Sequence, residues 1–326
     1  MNIYIVKDNK TYDITSFVGN VSWSDSVDTL GSQLDFSTGY SSEKYFPKFD
    51  IECGDIVVMT EENEIFRGIV VTSDFSNYSE KSYTAFDFLW YLNKSKVIKQ
   101  FNGVNAGDAI GQLCSEFSIT VGSIAPMRCL INHIYYENTV SEIIDNILEQ
   151  EFNETGKTYI KEIDKGSFHI FEKHSKTVQG FFRPAVNIAP FDVTTAPAMP
   201  SRSFSIEDMK NSILIISGEE NSVYTAGKAQ DTESISKYGL LQEIENVDDD
   251  NLNKAQNIAE NRLQELNKIS ETVSIQLLGD FNVRSGRVIA IKEDYTGLNG
   301  NYFIKSCSHS CSSAVHTMDL ELEIVL

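Results

Sequence analysis

The residues with most chemistry to offer lie near the C-terminus: Cys307, His309, Cys311 and His316. Thiolate and imidazole are zinc ligands, and four of them can close a tetrahedron. On an extended strand, positions 307, 309 and 311 share a face, and a hairpin turn would bring His316 across to them. The reach argues against zinc, because side chains at i, i+2 and i+4 of a strand spread over about 13 Å. The spacing is also not that of a C-x2-C knuckle. A Ser- and Cys-rich loop with half-buried histidines is the preferred reading, and the four residues stand only as candidate ligands. No metal or cofactor is expected.

Other reactive groups fare no better. Cys114 falls mid-helix, on or beside an apolar stripe, and not at a helix N-terminus where a thiolate is stabilised. His133, His169 and His174 have no sequence relation to it. The run Asp248-Asp249-Asp250 is no EF-hand loop: Asn253 stands where that loop needs Gly, and Ala259 where it needs Glu. It reads as a cap or a solvated turn. Walker, G-x-G-x-x-G, G-x-S-x-G and H-E-x-x-H patterns are absent. With 47 Asp and Glu some carboxylates lie close together, but no local motif singles out a glycosidase pair. No catalytic residue is expected.

The elements that would position these groups are mostly strands. The 326 residues suit two or three domains. Apolar content of 41% and charged content of 23% suit a globular chain. The net charge is 27 minus 47, or -20. Residues 1–100 carry 9 basic and 15 acidic groups, residues 101–200 carry 7 and 12, and residues 201–326 carry 11 and 20. No basic lobe exists to grip phosphate, so specific nucleic-acid binding is not expected. The N-terminus MNIYIVKDNK lacks a signal-peptide pattern, and no apolar stretch reaches membrane-spanning length. Five scattered cysteines read as reduced thiols, hence synthesis in the cytoplasm.

Residues 1–100 alternate β-branched and aromatic residues with polar ones, between Asp, Asn, Gly and Ser, as short antiparallel strands do. Asn105 is a plausible N-cap for a helix carrying Ile110, Leu113 and Phe117. Thr139 and Glu142 form a capping box ahead of a stripe from Val140 to Phe152. A hairpin turning at Asp164-Lys165-Gly166 follows. Pro184, Pro190, Pro197 and Pro200 mark a linker or crossover. Ser212–Ser217 and Ser222–Ala226 read as paired strands, an aspartate of 248–250 caps a helix, and the chain ends in strands.

Two stretches share an order of features. Gly54-Asp55-Ile56-Val57-Val58-Met59, then Gly68-Ile69-Val70-Val71, lead to Tyr83-Thr84-Ala85-Phe86-Asp87-Phe88. Gly286-Arg287-Val288-Ile289-Ala290-Ile291, then Gly300-Asn301-Tyr302-Phe303-Ile304, lead through a polar loop to His316-Thr317-Met318-Asp319-Leu320. Each reads as three consecutive antiparallel strands. Three chains with two such modules each would form a ring threefold by chain and nearly sixfold by shape.

A further set of residues spans nearly the whole chain: Tyr12-Asp13-Ile14-Thr15, Gly54-Asp55-Ile56-Val57, Phe66-Arg67-Gly68-Ile69-Val70, Tyr83-Thr84-Ala85-Phe86-Asp87, Ser236-Lys237-Tyr238-Gly239, the helix of Ala255 to Leu263, and Gly297 to Ile304 with His309 and His316. Their order and spacing resemble the baseplate hub proteins of contractile phage tails, in the PBSX-like branch of the late control protein D family. The resemblance implies an α+β, β-rich fold: two similar tube-type antiparallel β-barrel domains with an inserted α/β domain. The expected limits are 1–102 for the first barrel, 103–180 for the inserted α+β domain, 181–203 for the Pro-rich crossover, and 204–326 for the second barrel with one helix at about 250–267. It implies a homotrimer between a sixfold tail tube and a threefold spike. Implied partners are the tube or tube-initiator protein, the central spike, other baseplate proteins and a tape measure protein, with no membrane anchor. The particle, phage or phage-derived bacteriocin, would be released by lysis. The rival readings are a tail-associated peptidoglycan hydrolase and a glycan-binding β module.

Overall fold

The structure is a computed structural model that describes residues 1–29, 31–41, 43–46, 49–75, 79–182, 201–218, 223–247, 249–293, 297–312 and 315–325. The expected crossover, with Pro184, Pro190, Pro197 and Pro200, falls outside these residues, as do Asp248 and the expected strand start at Ser222. The fold is β-rich α+β, as the sequence indicates.

The chain opens with strands β1 (Asn2–Lys7), β2 (Lys10–Asp13), β3 (Val18–Ser26), β4 (Gln33–Gly39), β5 (Ile56–Thr60), β6 (Glu64–Asp74) and β7 (Glu80–Asp87). Alternation puts one face of each strand inward. Val21 and Trp23, Leu34 and Phe36, and Tyr83 and Ala85 thus share a core with Ile3, Ile5, Val57 and Met59.

An α+β region follows: α1 (Leu89–Lys94), β8 (Lys96–Asn105), α2 (Ala106–Glu116), β9 (Thr120–Ile124), β10 (Leu130–Thr139), α3 (Val140–Thr155), β11 (Tyr159–Asp164) and β12 (Ser167–Glu172). Asn105 caps α2 by accepting from the Gly107 N–H. The Thr139–Glu142 capping box opens α3. Lys165 and Gly166, both at positive φ, turn β11 into β12. The stripe Val140, Ile143, Ile144, Ile147 packs with Ile110, Leu113 and Phe168 in a separate core. Strands β8 and β10, not foreseen from the sequence, form a two-stranded ribbon.

The remainder comprises β13 (Thr177–Phe182), β14 (Ser201–Ser205), β15 (Ser212–Ser217), β16 (Tyr224–Gln230), α4 (Thr232–Tyr238), β17 (Gln242–Asn246), a 3-10 segment Asp249–Lys254, α5 (Ala255–Leu266), β18 (Ser270–Leu278), β19 (Val288–Glu293), β20 (Leu298–Ser312) and β21 (Val315–Ile324). Asp231 caps α4 through the Glu233 and Ser234 N–H groups. Whether an aspartate of 248–250 caps the helical run rests on side chains outside the described ones. A 3-10 turn intervenes, the helix starts at Ala255, and Lys254 occupies the cap position without a side-chain bond. Strands β16-β15-β17 make a small sheet covered by α5.

The internal repeat is visible in the strand order. The first unit pairs β5-β6-β7-β4-β3, and the second pairs β19-β20-β21-β18-β14. The entry turns match bond for bond. Gly54 N–H donates to Val70 O (2.8 Å) and Val70 N–H to Asp55 O (2.9 Å); Gly286 N–H donates to Ile304 O and Ile304 N–H to Arg287 O (both 2.8 Å). Both glycines sit at positive φ, 101° and 79°, where a side chain is disfavoured. The units are not separate. Strand β3 pairs with β20, so hydrogen bonding runs on from one unit into the other in a 13-stranded sheet.

Candidate functional site at the seam

Strand β20 carries the reactive residues, and it is a strand where the sequence suggested a Ser- and Cys-rich loop. Its length follows from double pairing, with β21 on one side and β3 on the other. Opposite residues are Cys307 and Asp25, His309 and Trp23, and Cys311 and Val21. Cys307 therefore enters the core of the second unit, Cys311 packs against that of the first, and His309 lies between them. The line-of-sight spread that argued against a tetrahedral site is the geometry of the strand.

The hairpin does bring His316 across. Its Nε2 is 3.0 Å from His309 Nδ1. The other ring nitrogen of His309, Nε2, is 3.0 Å from Val283 O and 3.0 Å from Cys307 Sγ. A consistent assignment has Nε2–H of His309 donating to the carbonyl and Nδ1 accepting from His316. Cys307 and His316 thus address opposite sides of one ring, so no single point faces all three. Among the described residues no group of three or more His, Cys, Asp or Glu is placed to hold a metal ion. Trp23 stacks on His309 with centroids 4.5 Å apart, and Phe281 lies near-parallel to the same indole at 5.7 Å. Burial pushes His309 below its ordinary value; burial and the facing His309 push His316 to about 4. Burial also drives the Cys307 thiol well above its usual range. The cluster is a neutral, stacked plug. Cys114 is buried on α2, and burial raises its thiol to about 12, so it is an inert core group.

A second group at the seam had no signal in the sequence. Arg284 donates from Nε to Asp25 (3.3 Å), from one terminal nitrogen to Asp164 (3.4 Å), and from the other to Ile163 O (2.9 Å). One guanidinium therefore ties the first unit, the α+β region and the second unit together. Beside it Glu162 is paired with Arg287 at 2.6 Å and with Lys176. Burial pushes Glu162 up, but the Arg287 and Arg284 charges outweigh it and hold the carboxyl below its ordinary value. These partners are some 120 to 260 positions apart in the chain.

The sheet also has open edges. Among the described residues, strand β14 pairs only with β18, and all five of its residues are exposed. At the far end, β5 covers β6 as far as Ile69, and among the described residues Thr72, Ser73 and Asp74 pair with β7 alone. Between these edges run β14, β18, β21, β20, β3, β4, β7 and β6, four strands from each unit. An unpaired edge is a template for another strand.

A family model described as YQBQ-like matches residues 21–323. The protein YqbQ of Bacillus subtilis strain 168 is 29% identical over 283 residues, covering 84% of this chain and 82% of that protein. The phage-like element PBSX protein XkdQ of the same organism is 28% identical over 279 residues, with the same coverage. Among solved structures, the 43 kDa tail protein of prophage MuSo2 from Shewanella oneidensis superposes with a TM-score of 0.73 at 14% identity, over 99% of this chain and 98% of that one. That likeness is one of fold.

Proposed function

The chain belongs to the YQBQ-like family, and from that premise we propose that it is the structural hub of a contractile-tail baseplate. The observation that carries this reading is the repeated strand order within one continuous sheet in which, among the described residues, β14 and the Thr72–Asp74 end of β6 pair on one side only. Eight strands per chain, four per unit, make each copy a third of a ring and each unit a near-sixth. Heterologous edge contacts close into a ring when the rotation between copies fits. A homotrimer of this kind presents near-sixfold symmetry to a tail tube and true threefold symmetry to a central spike. Its partners would be the tube or tube-initiator protein, the spike, other baseplate proteins and the tape measure protein. Segments 1–102 and 204–326 would supply the ring, 103–180 the inserted domain, and 181–203 the crossover.

On this reading the protein performs no reaction; its work is done by interfaces. The phage-like-element origin of XkdQ and the tail-protein fold of the MuSo2 structure support a place in a tail particle. The particle would assemble after cytoplasmic synthesis and leave by lysis. Native mass spectrometry and electron microscopy of the chain, alone and with its spike, test the reading. A trimeric ring is expected. A strict monomer under all these conditions would sink it, and a clearing band in cell-wall zymography would restore the hydrolase alternative.

A further inference from the structure

A set of half-used amides lies away from the seam. It lines a cleft of about 530 Å³ between α3 and β10 on one side and β17 and α5 on the other. That volume falls within the roughly 300–1,000 Å³ of small-ligand sites. Asn146, Gln150 and Asn153 stand at i, i+4 and i+7 on α3, so they form a single row along the cleft. Asn146 Oδ1 accepts from the buried Tyr135 hydroxyl (2.7 Å) and from Gln150 Nε2 (2.8 Å). Gln150 Nε2 also donates to the Tyr135 oxygen at 3.2 Å. On β10, Asn132 Oδ1 accepts from the Gly103 N–H at 2.6 Å. One end of each of these three amides is committed, which fixes how the group is turned. Among the described residues, Asn132 Nδ2, Asn146 Nδ2 and Gln150 Oε1 are left over, and Asn153 Oδ1 is buried without a partner. A buried acceptor left unpaired is costly and calls for an explanation.

The charges of the cleft, by contrast, are paired. Arg262 holds Glu149 at 2.5 Å and Glu245 at 3.2 Å, and Lys254 holds Glu154 at 2.8 Å. Asn257 and Asn261 of α5 donate to the carbonyls of Asn153 and Phe152 at 3.0 and 3.3 Å, so the two helical walls are pinned to each other. These facts choose the ligand. An ion would meet no free counter-charge, and burying it unpaired is unfavourable. A polypeptide is held by aromatic or apolar anchors, and of the large hydrophobic residues in the lining only Leu130 is exposed (57%). A sugar hydroxyl both donates and accepts. Neighbouring hydroxyls therefore complement an array of two free amide N–H ends and two free oxygens, and Leu130 offers apolar contact to the C–H face of a ring.

We infer that this cleft is a binding site for an uncharged oligosaccharide, contained within one chain and independent of any ring. The full chain is titrated by calorimetry with maltotriose, cellotriose and N-acetylchitotriose. Trigalacturonate serves as the charged counterpart and an uncharged glycine–serine hexapeptide as the peptide. At least one neutral trisaccharide is expected to bind with a dissociation constant below ~1 mM, and about tenfold or more tighter than trigalacturonate or the peptide. Asn153→Leu removes the orphaned acceptor. It should weaken that binding about tenfold while the thermal midpoint stays level or rises. Asn146→Asp keeps the oxygen that Tyr135 and Gln150 bond but turns the free N–H end into an acceptor, and it should weaken binding at least as much. Starch, cellulose and chitin particles separate the sources. Retention on the polymer of the bound repeat identifies a surface glycan, and binding of the trisaccharide alone identifies a free sugar. Dissociation constants above ~1 mM for all three neutral sugars overturn the inference. So does equal or tighter binding of the hexapeptide or of trigalacturonate, or sugar binding that neither variant weakens.

Discussion

At the scale of single residues, the seam is governed by what burial does to ionisable groups. His309 and His316 are folded in neutral form, with His316 near 4 in the fold against an ordinary value of 6.5. As pH falls below about 6.5 the unfolded chain takes up protons that the fold refuses, so stability is lost progressively down to about pH 4. Asp87 opposes this. Burial raises it to about 6, so its contribution is full below its unfolded value of 3.8 and is lost as pH rises through 6. The thermal midpoint of the wild type, minus that of a His309→Phe/His316→Phe variant, isolates the histidines. That difference is expected to shrink from pH 7 to pH 4.5, and a flat difference would mean the rings are hydrated. Arg284 makes the other residue-scale case. Its side chain is 17% exposed and meets Asp25, itself 13% exposed. Arg284→Met strands that carboxylate and should cost about 3–5 kcal/mol in urea unfolding. A loss under about 1 kcal/mol would class the cluster with ordinary surface pairs. Nothing in the local sequence announced Arg284, because its partners come from two other regions of the chain.

The repeated element is the turn that feeds each three-stranded meander. Gly54 and Gly286 make the same pair of backbone bonds to the strand that follows, yet their surroundings differ. A Cβ on Gly54 meets nothing within 4 Å, whereas one on Gly286 meets Ile160 Cγ2 at 2.8 Å. Gly54→Ala should cost about 1–2 kcal/mol from the left-handed conformation alone. Gly286→Ala should cost clearly more, because β11 must also give way; equal costs by chemical denaturation would refute that packing argument. Helices were legible from their start signals, as at Asn105 and Thr139, since a cap depends on neighbours within four residues. The β8–β10 ribbon was not, because both strands are solvated on one face and their partners lie some thirty residues apart. Before α5 the helical run opens as the 3-10 segment Asp249–Lys254 and becomes α-helical at Ala255.

For the whole molecule, the open edges decide the outcome. Proline cannot donate to a ladder, so Pro at Arg202 or at Ser203, made separately, removes an outward N–H in one variant and an inward one in the other. The outward variant should keep its monomer stability and lose the ring in native mass spectra. A ring unaffected by either change would exclude β14 from the contact between copies. The duplicated glycine-led meander, the helix caps, the acidic balance and the want of a catalytic motif were all set by the sequence, since each depends on neighbours a few residues away or on composition. Only the tertiary structure joined β3 to β20, turned a serine-rich loop into a doubly paired strand, and gathered Asp25, Asp164 and Arg284. Those contacts join positions up to 290 residues apart, as Val21 and Cys311 are (311 minus 21), and no local pattern encodes which distant strand will complete a ladder.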